Sequence, residues 1–226
     1  MWAGVITELQ SAGLEAIALA NPLRSVASDA AYIANAATQI DGPVLLTGHC
    51  YGGAVITATG SAAGNVVGLV YVAGFALDVG ESALDITSRF PSQLLPALRP
   101  ATFPGVNGDP AVELYFDREA YPQLFAADLP YRQAAVAAAV QRPITAAAFE
   151  EKAPAAAWKT TPSWYTVATA DQLIPPQAQR FMAQRAGAHA IEIAASHAIT
   201  LTQSAAVAGQ IAAASRGSHP PPDKPT

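Results

Sequence analysis

Apolar positions along this chain of 226 residues alternate between helical and strand-like spacing. Trp2, Val5, Ile6 and Leu9 fall at i, i+3, i+4 and i+7, which predicts an amphipathic helix over residues 2–12, ended by Gly13. Leu14–Ala20 is a short apolar run closed by Asn21-Pro22 and predicts a buried parallel strand. Val26, Ala30, Ile33, Ala37 and Ile40 share one face of a helix over 25–40, stopped by Asp41-Gly42-Pro43. Strands are predicted at Val44–Thr47, Val66–Gly74, Ser163–Ala168 and Ala190–Ala194, with helices after the first of these, over 176–186 and over 202–214.

Strand and helix taking turns in this way predict a mostly parallel sheet with helices on both faces. The alternation fails between Phe75 and Thr161, where Pro-rich and Ala-rich segments take over. That stretch, about 76–160, is expected to be an inserted cap of helices and loops, with helical pieces at Arg118–Ala127 and Tyr131–Val140. The chain is read as one domain over 1–214. The polar, Pro-rich tail 215–226 is expected to be disordered.

Composition narrows the function. Hydrophobic residues make up 51% and charged residues 13%, which suits a large core and argues against a disordered chain. A net charge of −5 with 12 Lys+Arg and no basic cluster argues against nucleic acid as a partner. No apolar run reaches the ~18 residues of a membrane span, and the opening MWAGVITELQ has no leader-like pattern. With a single cysteine there is no internal disulfide, so a cytoplasmic, reducing location is expected. Neither metal-ligand spacing nor a phosphate or dinucleotide loop is present, so no cofactor and no metal are expected.

The chemistry-bearing residues sit at strand ends. Pro43–Ile56 reads strand, Gly-His-Cys-Tyr-Gly-Gly, helix, the layout of a nucleophile elbow, with Cys50 at the corner. Gly48, Gly52 and Gly53 are assigned to the close approach of strand and helix at that turn. Asp171 follows the strand Ser163–Ala168, and His197 follows Ala190–Ala194. Catalytic groups on open parallel sheets lie beyond the carboxyl ends of strands, so all three fall in the right place. Cys50, at a helix N-terminus, is the candidate nucleophile. His197 is the candidate base or imidazolium partner, Asp171 the group that orients it, and the Tyr51 N–H an oxyanion donor. Asp78 is a reserve acid with Glu81 beside it, His49 is read as structural, and His189 and His219 as incidental.

The segments GHCYGGAVI, LVYVAGFALDVGES, PSWYTVATADQLIPP and ASHAITL resemble the small bacterial α/β-hydrolases whose elbow reads Gly-His-Ser-Tyr-Gly-Gly, from Trp2 to about Ala214. The resemblance implies an α/β-hydrolase fold with a helical cap insertion. It also implies hydrolysis of a small-molecule carboxylic ester, lactone or thioester, with His197 as triad base and Asp171 as triad acid. Cysteine at position 50 is a trait shared with dienelactone hydrolases, and sulfur in a site shaped for serine is expected to lower turnover. The family also carries a strand with a His-Gly loop ahead of the first helix, and this sequence begins after it. The absent strand would lie between Leu14–Ala20 and Val44–Thr47, so an isolated chain is expected to be poorly stable or to self-associate as a homo-oligomer. A non-catalytic ligand-binding or interaction module on the same fold stays open at this stage.

Overall fold

The computed structural model describes residues 1–105 and 108–218. Its strands are β1 (Val44–Cys50), β2 (Val66–Gly74), β3 (Leu98–Pro104), β4 (Pro110–Phe116), β5 (Ile144–Thr145), β6 (Ser163–Ala168) and β7 (His189–Ile193). The α-helices are α1 (Ala3–Ser11), α2 (Val26–Ala37), α3 (Tyr51–Thr59), α4 (Ala83–Arg89), α5 (Tyr121–Leu124), α6 (Tyr131–Ala139), α7 (Ala146–Glu150), α8 (Pro176–Arg185), α9 (Ile199–Thr202) and α10 (Ser204–Gly217). Four strands form a parallel sheet in the order β1-β2-β6-β7.

Side-chain alternation along β2 explains why its sequence is apolar almost throughout. Leu69 and Tyr71 enter the core shared with α2, α3 and α8, while Val70 and Val72 enter the core under α1 and α10. Tyr71 and Tyr165 stack across β2 and β6 with ring centroids 5.7 Å apart. Helices cover both faces, as the apolar periodicity predicts, and the strand ends open to a cavity.

Three expectations change. The apolar run Leu14–Ala20 does not form a strand: it lies irregular and mostly exposed, with Ile17 61% accessible. A strand needs a ladder neighbour, and among the described residues β1 pairs with β2 alone. Leu14, Ala16 and Leu19 line one cavity together with Val44 and Thr47, so open space lies between the run and the free edge of β1.

The insertion is not made of helices and loops alone. It holds an antiparallel sheet, β3-β4-β5, with Leu98 opposite Phe116 and Pro104 opposite Pro110. Pro100 and Pro104 read as breakers in the sequence, but β3 is an edge strand, where a missing N–H donor is tolerated. At the other end of the chain α10 continues through Gly217, beyond the expected boundary at 214. The tail residues 219–226 and His219 lie outside the described residues.

Candidate active site

β1 runs directly into α3, with Cys50 as the last strand residue and Tyr51 as the first of the helix. Cys50 has φ 54° and ψ −125°, a conformation that costs a non-glycine residue on the order of 1–3 kcal/mol. Steric closeness at the turn enforces it. A Cβ on Gly48 would lie 2.3 Å from the Gly52 carbonyl oxygen, and one on Gly53 would lie 2.6 Å from the Phe75 nitrogen. Gly52 departs from the sequence-based explanation, because a Cβ there meets nothing within 4 Å. Cys50 is half-buried and lines the cavity. Tyr51 places its backbone N–H in the first turn of α3, where helix donors have no intrahelical acceptor. Its side chain turns away into the core, where the hydroxyl donates to Asp29 Oδ2 at 3.0 Å.

The acid and base meet beyond β6 and β7. His197 Nδ1–H donates to Asp171 Oδ2 at 2.7 Å, and both side chains are shielded from solvent. The second Asp171 oxygen accepts from the Leu173 and Ile174 backbone N–H groups at 2.8 and 3.1 Å. Gln179 adds a bond from Nε2 to Asp171 Oδ2 at 2.9 Å and is itself held by Ile174 O and the Ala168 N–H. The carboxylate is thereby fixed in one orientation. Burial lowers the His197 pKa, but the Asp171 carboxylate and then Cys50 outweigh it and push the imidazole up to about 10. His197 Nε2 is buried and has no hydrogen-bond partner among the described residues.

The structure therefore brings Cys50, His197 and Asp171 to one end of the sheet and leaves the reserve acids elsewhere. Asp78 is bound by Lys159 Nζ at 2.5 Å, and Glu81 pairs with Arg185 at 2.6 Å. His189, the first residue of β7, lies against the Trp164 ring of β6, away from the cavity around Cys50. Of the cap aromatics, Phe116, Tyr121, Phe125 and Phe149 line the cavity. Phe90 instead packs against Phe181, Phe103 lies under the Arg24 guanidinium, and the Tyr115 hydroxyl donates to Glu113. No group of three or more metal-ligating side chains is found among the described residues. Nor is any helix long and apolar enough to cross a membrane.

The cavity measures about 1160 Å³ in all, from the gap along the free edge of β1 past Cys50 and His197 to the space under the cap, where Leu98, Leu114, Phe116, Tyr121, Phe125 and Phe149 supply an apolar lining. Its apolar walls can hold a neutral acyl or alcohol group by burial alone. Sequence reasoning misses Gln179, which carries no motif, being one glutamine among several on a helix. His49, expected to be structural, holds the backbone of the histidine loop: its Nε2–H donates to the His197 carbonyl at 2.8 Å, its ring lies 4.6 Å from the His197 ring, and it also lines the cavity. Desolvation, followed by the charge of His197, lowers its pKa to about 3, so it works as a neutral hydrogen-bond donor.

A strand-to-helix corner on a parallel sheet, roofed by an insertion and faced by a histidine beyond the last strand, places the molecule in the α/β-hydrolase fold. The sequence pattern of the Alpha/beta hydrolase family matches residues 7–210, and the chain belongs to that family. Among solved structures, polyneuridine aldehyde esterase superposes with a TM-score of 0.79 at 17% identity, covering 95% of this chain and 93% of that one. A pyrethroid hydrolase from Sphingobium faniae JZ-2 gives 0.72 at 20% identity, covering 94% and 90%. A methylesterase from Arabidopsis gives 0.76 at 14% identity, covering 96% and 93%. At these identities the likeness is one of fold. No curated protein sequence matches the chain.

Proposed function

We propose that this hydrolase cleaves small, uncharged carboxylic esters through a covalent thioester on Cys50. The observation that carries the reading is the buried His197–Asp171 pair facing a cysteine held at a strained elbow. Although burial lowers it, the Asp171 carboxylate pushes the His197 imidazole up to about 10, which suits it to face the Cys50 sulfur as a cation. Cys50 Sγ attacks the ester carbonyl carbon, and the oxyanion forms at the N-terminus of α3, where the Tyr51 N–H donates to it. As the C–O bond breaks, His197 Nε2–H passes its proton to the departing alcohol, leaving a thioester and a neutral imidazole. Water then attacks the thioester and gives its proton to Nε2. Collapse breaks the C–S bond, releases the acid and restores the thiolate–imidazolium pair. Asp171 accepts from Nδ1–H and so fixes the tautomer that leaves Nε2 free for proton transfer.

Esterase neighbours of the same fold and the apolar cavity support the ester as substrate class. The test is a burst experiment with a neutral nitrophenyl ester. Wild type is expected to release nitrophenol in proportion to enzyme, and Cys50→Ala to release none. Equal bursts from the two would exclude the thioester route.

A further inference from the structure

The loop carrying His197 is gripped from above by the cap, and the grip converges on one carboxylate. Asp128 Oδ2 accepts from the Ser196 backbone N–H at 2.9 Å and from the Thr202 hydroxyl at 2.9 Å, while Oδ1 accepts from the Ser196 hydroxyl. Three residues earlier in the cap, the Phe125 carbonyl accepts from the Ala198 N–H at 2.9 Å, with the Ser196 hydroxyl oxygen 3.1 Å away. The Phe125 ring stands edge-on to the His197 ring with centroids 4.7 Å apart. Both neighbours of the histidine, Ser196 and Ala198, are thus fastened to the segment 125–128. Asp128 itself is exposed on its outer side. Although partial burial opposes ionisation, the hydrogen bonds from Ser196 and Thr202 hold its carboxyl below the usual carboxylate range, so it remains an acceptor at neutral pH.

We propose that Asp128 is a positioning residue, which aligns His197 with Cys50 only while the cap segment 125–128 is seated on the histidine loop. It touches neither sulfur nor substrate and acts through Ser196 and Thr202. Asp171 fixes the rotation of the imidazole, whereas Asp128 fixes the backbone that carries it. Seating of the cap and readiness of the base are then one event, so a cap lifted from the loop leaves a site that binds an ester without acylating.

This rests on the proposed thioester route, and the two can fail separately. In Asp128→Ala, acylation by the nitrophenyl ester should fall by about 30-fold with KM within about threefold, the pattern of misplaced chemistry and not of lost binding. Iodoacetamide alkylation of Cys50, which needs no substrate, should slow toward the rate of His197→Ala. Because Asp128 is reachable from solvent, added formate should restore part of both rates while leaving wild type unchanged. Acylation and alkylation within twofold of wild type, a loss confined to KM, or a loss that formate leaves untouched would each overturn the proposal. If Asp128→Ala does not fold by circular dichroism, Thr202→Val removes a single bond and should lower kcat by about threefold at constant KM, and an unchanged kcat would overturn it. A wild type without any burst defeats the thioester route instead, and the alkylation rates still decide the role of Asp128.

Discussion

The two halves of the site are built on opposite plans. On the β6 and β7 side, Asp171 is satisfied by four donors and His197 is shielded from solvent, locked by a carboxylate on one side and by His49 through its own carbonyl. On the β1 side, Cys50 is half-buried, backbone-strained and carried on a strand whose other edge has no ladder partner among the described residues. The difference separates two demands. Orientation of a base calls for a dense hydrogen-bond network, while the proposed nucleophile must be reachable, so its backbone is held by the Phe75 N–H on its carbonyl and by steric exclusion at glycines, and its side chain is left open to the cavity.

The sharpest way to break the comparison is to fill the steric corner. Gly48→Ala puts a methyl 2.3 Å from backbone that cannot yield, so the turn should not close. We expect little folded protein by circular dichroism and esterase activity down by more than ~100-fold, because a displaced nucleophile loses its alignment. Next in size, Asp171→Asn keeps the shape but favours the wrong imidazole tautomer. A fall in kcat of about 10³-fold with KM nearly unchanged is expected by steady-state assay.

The same pair sets a pH dependence of stability. The folded pKa of His197 is raised to about 10 from 6.5, so its contribution is complete below about pH 6.5 and is lost as pH climbs through about 10. The difference in melting temperature between wild type and Asp171→Asn should therefore be several degrees near pH 6 and should shrink toward pH 10. A gap that widens with pH would reverse the assignment. Smallest of all, Gly52→Ala adds a methyl into open space, and its effect on stability should stay within ~0.5 kcal/mol by denaturant titration.

Much of this arrangement is legible in the sequence for a physical reason. Cys50, Asp171 and His197 each follow an apolar strand, and a parallel sheet sends all its carboxyl ends to one edge, so local pattern alone brings distant residues together. The strands β2 and β6 are legible to the residue because both faces are buried and nothing charged interrupts them. Legibility stops where pairing depends on a neighbour. Leu14–Ala20 has a strand's composition but no ladder partner among the described residues, while Leu98–Pro104 has a breaker's composition and forms an edge strand because Pro110–Phe116 lies beside it. Likewise Gln179, His49 and Asp128 act through side-chain bonds to backbone far away in the chain, for which no spacing rule exists.

The central claim is that the half-buried cysteine, and no other group, carries the acyl chain that the rigid half helps to release. Intact-protein mass spectrometry with peptide mapping, after rapid acid quench of wild type mixed with excess neutral ester, tests it directly. The account predicts one acyl group per chain, located on Cys50 and absent in Cys50→Ala. An acyl group on another residue, or steady hydrolysis by Cys50→Ala at the wild-type rate, would contradict it.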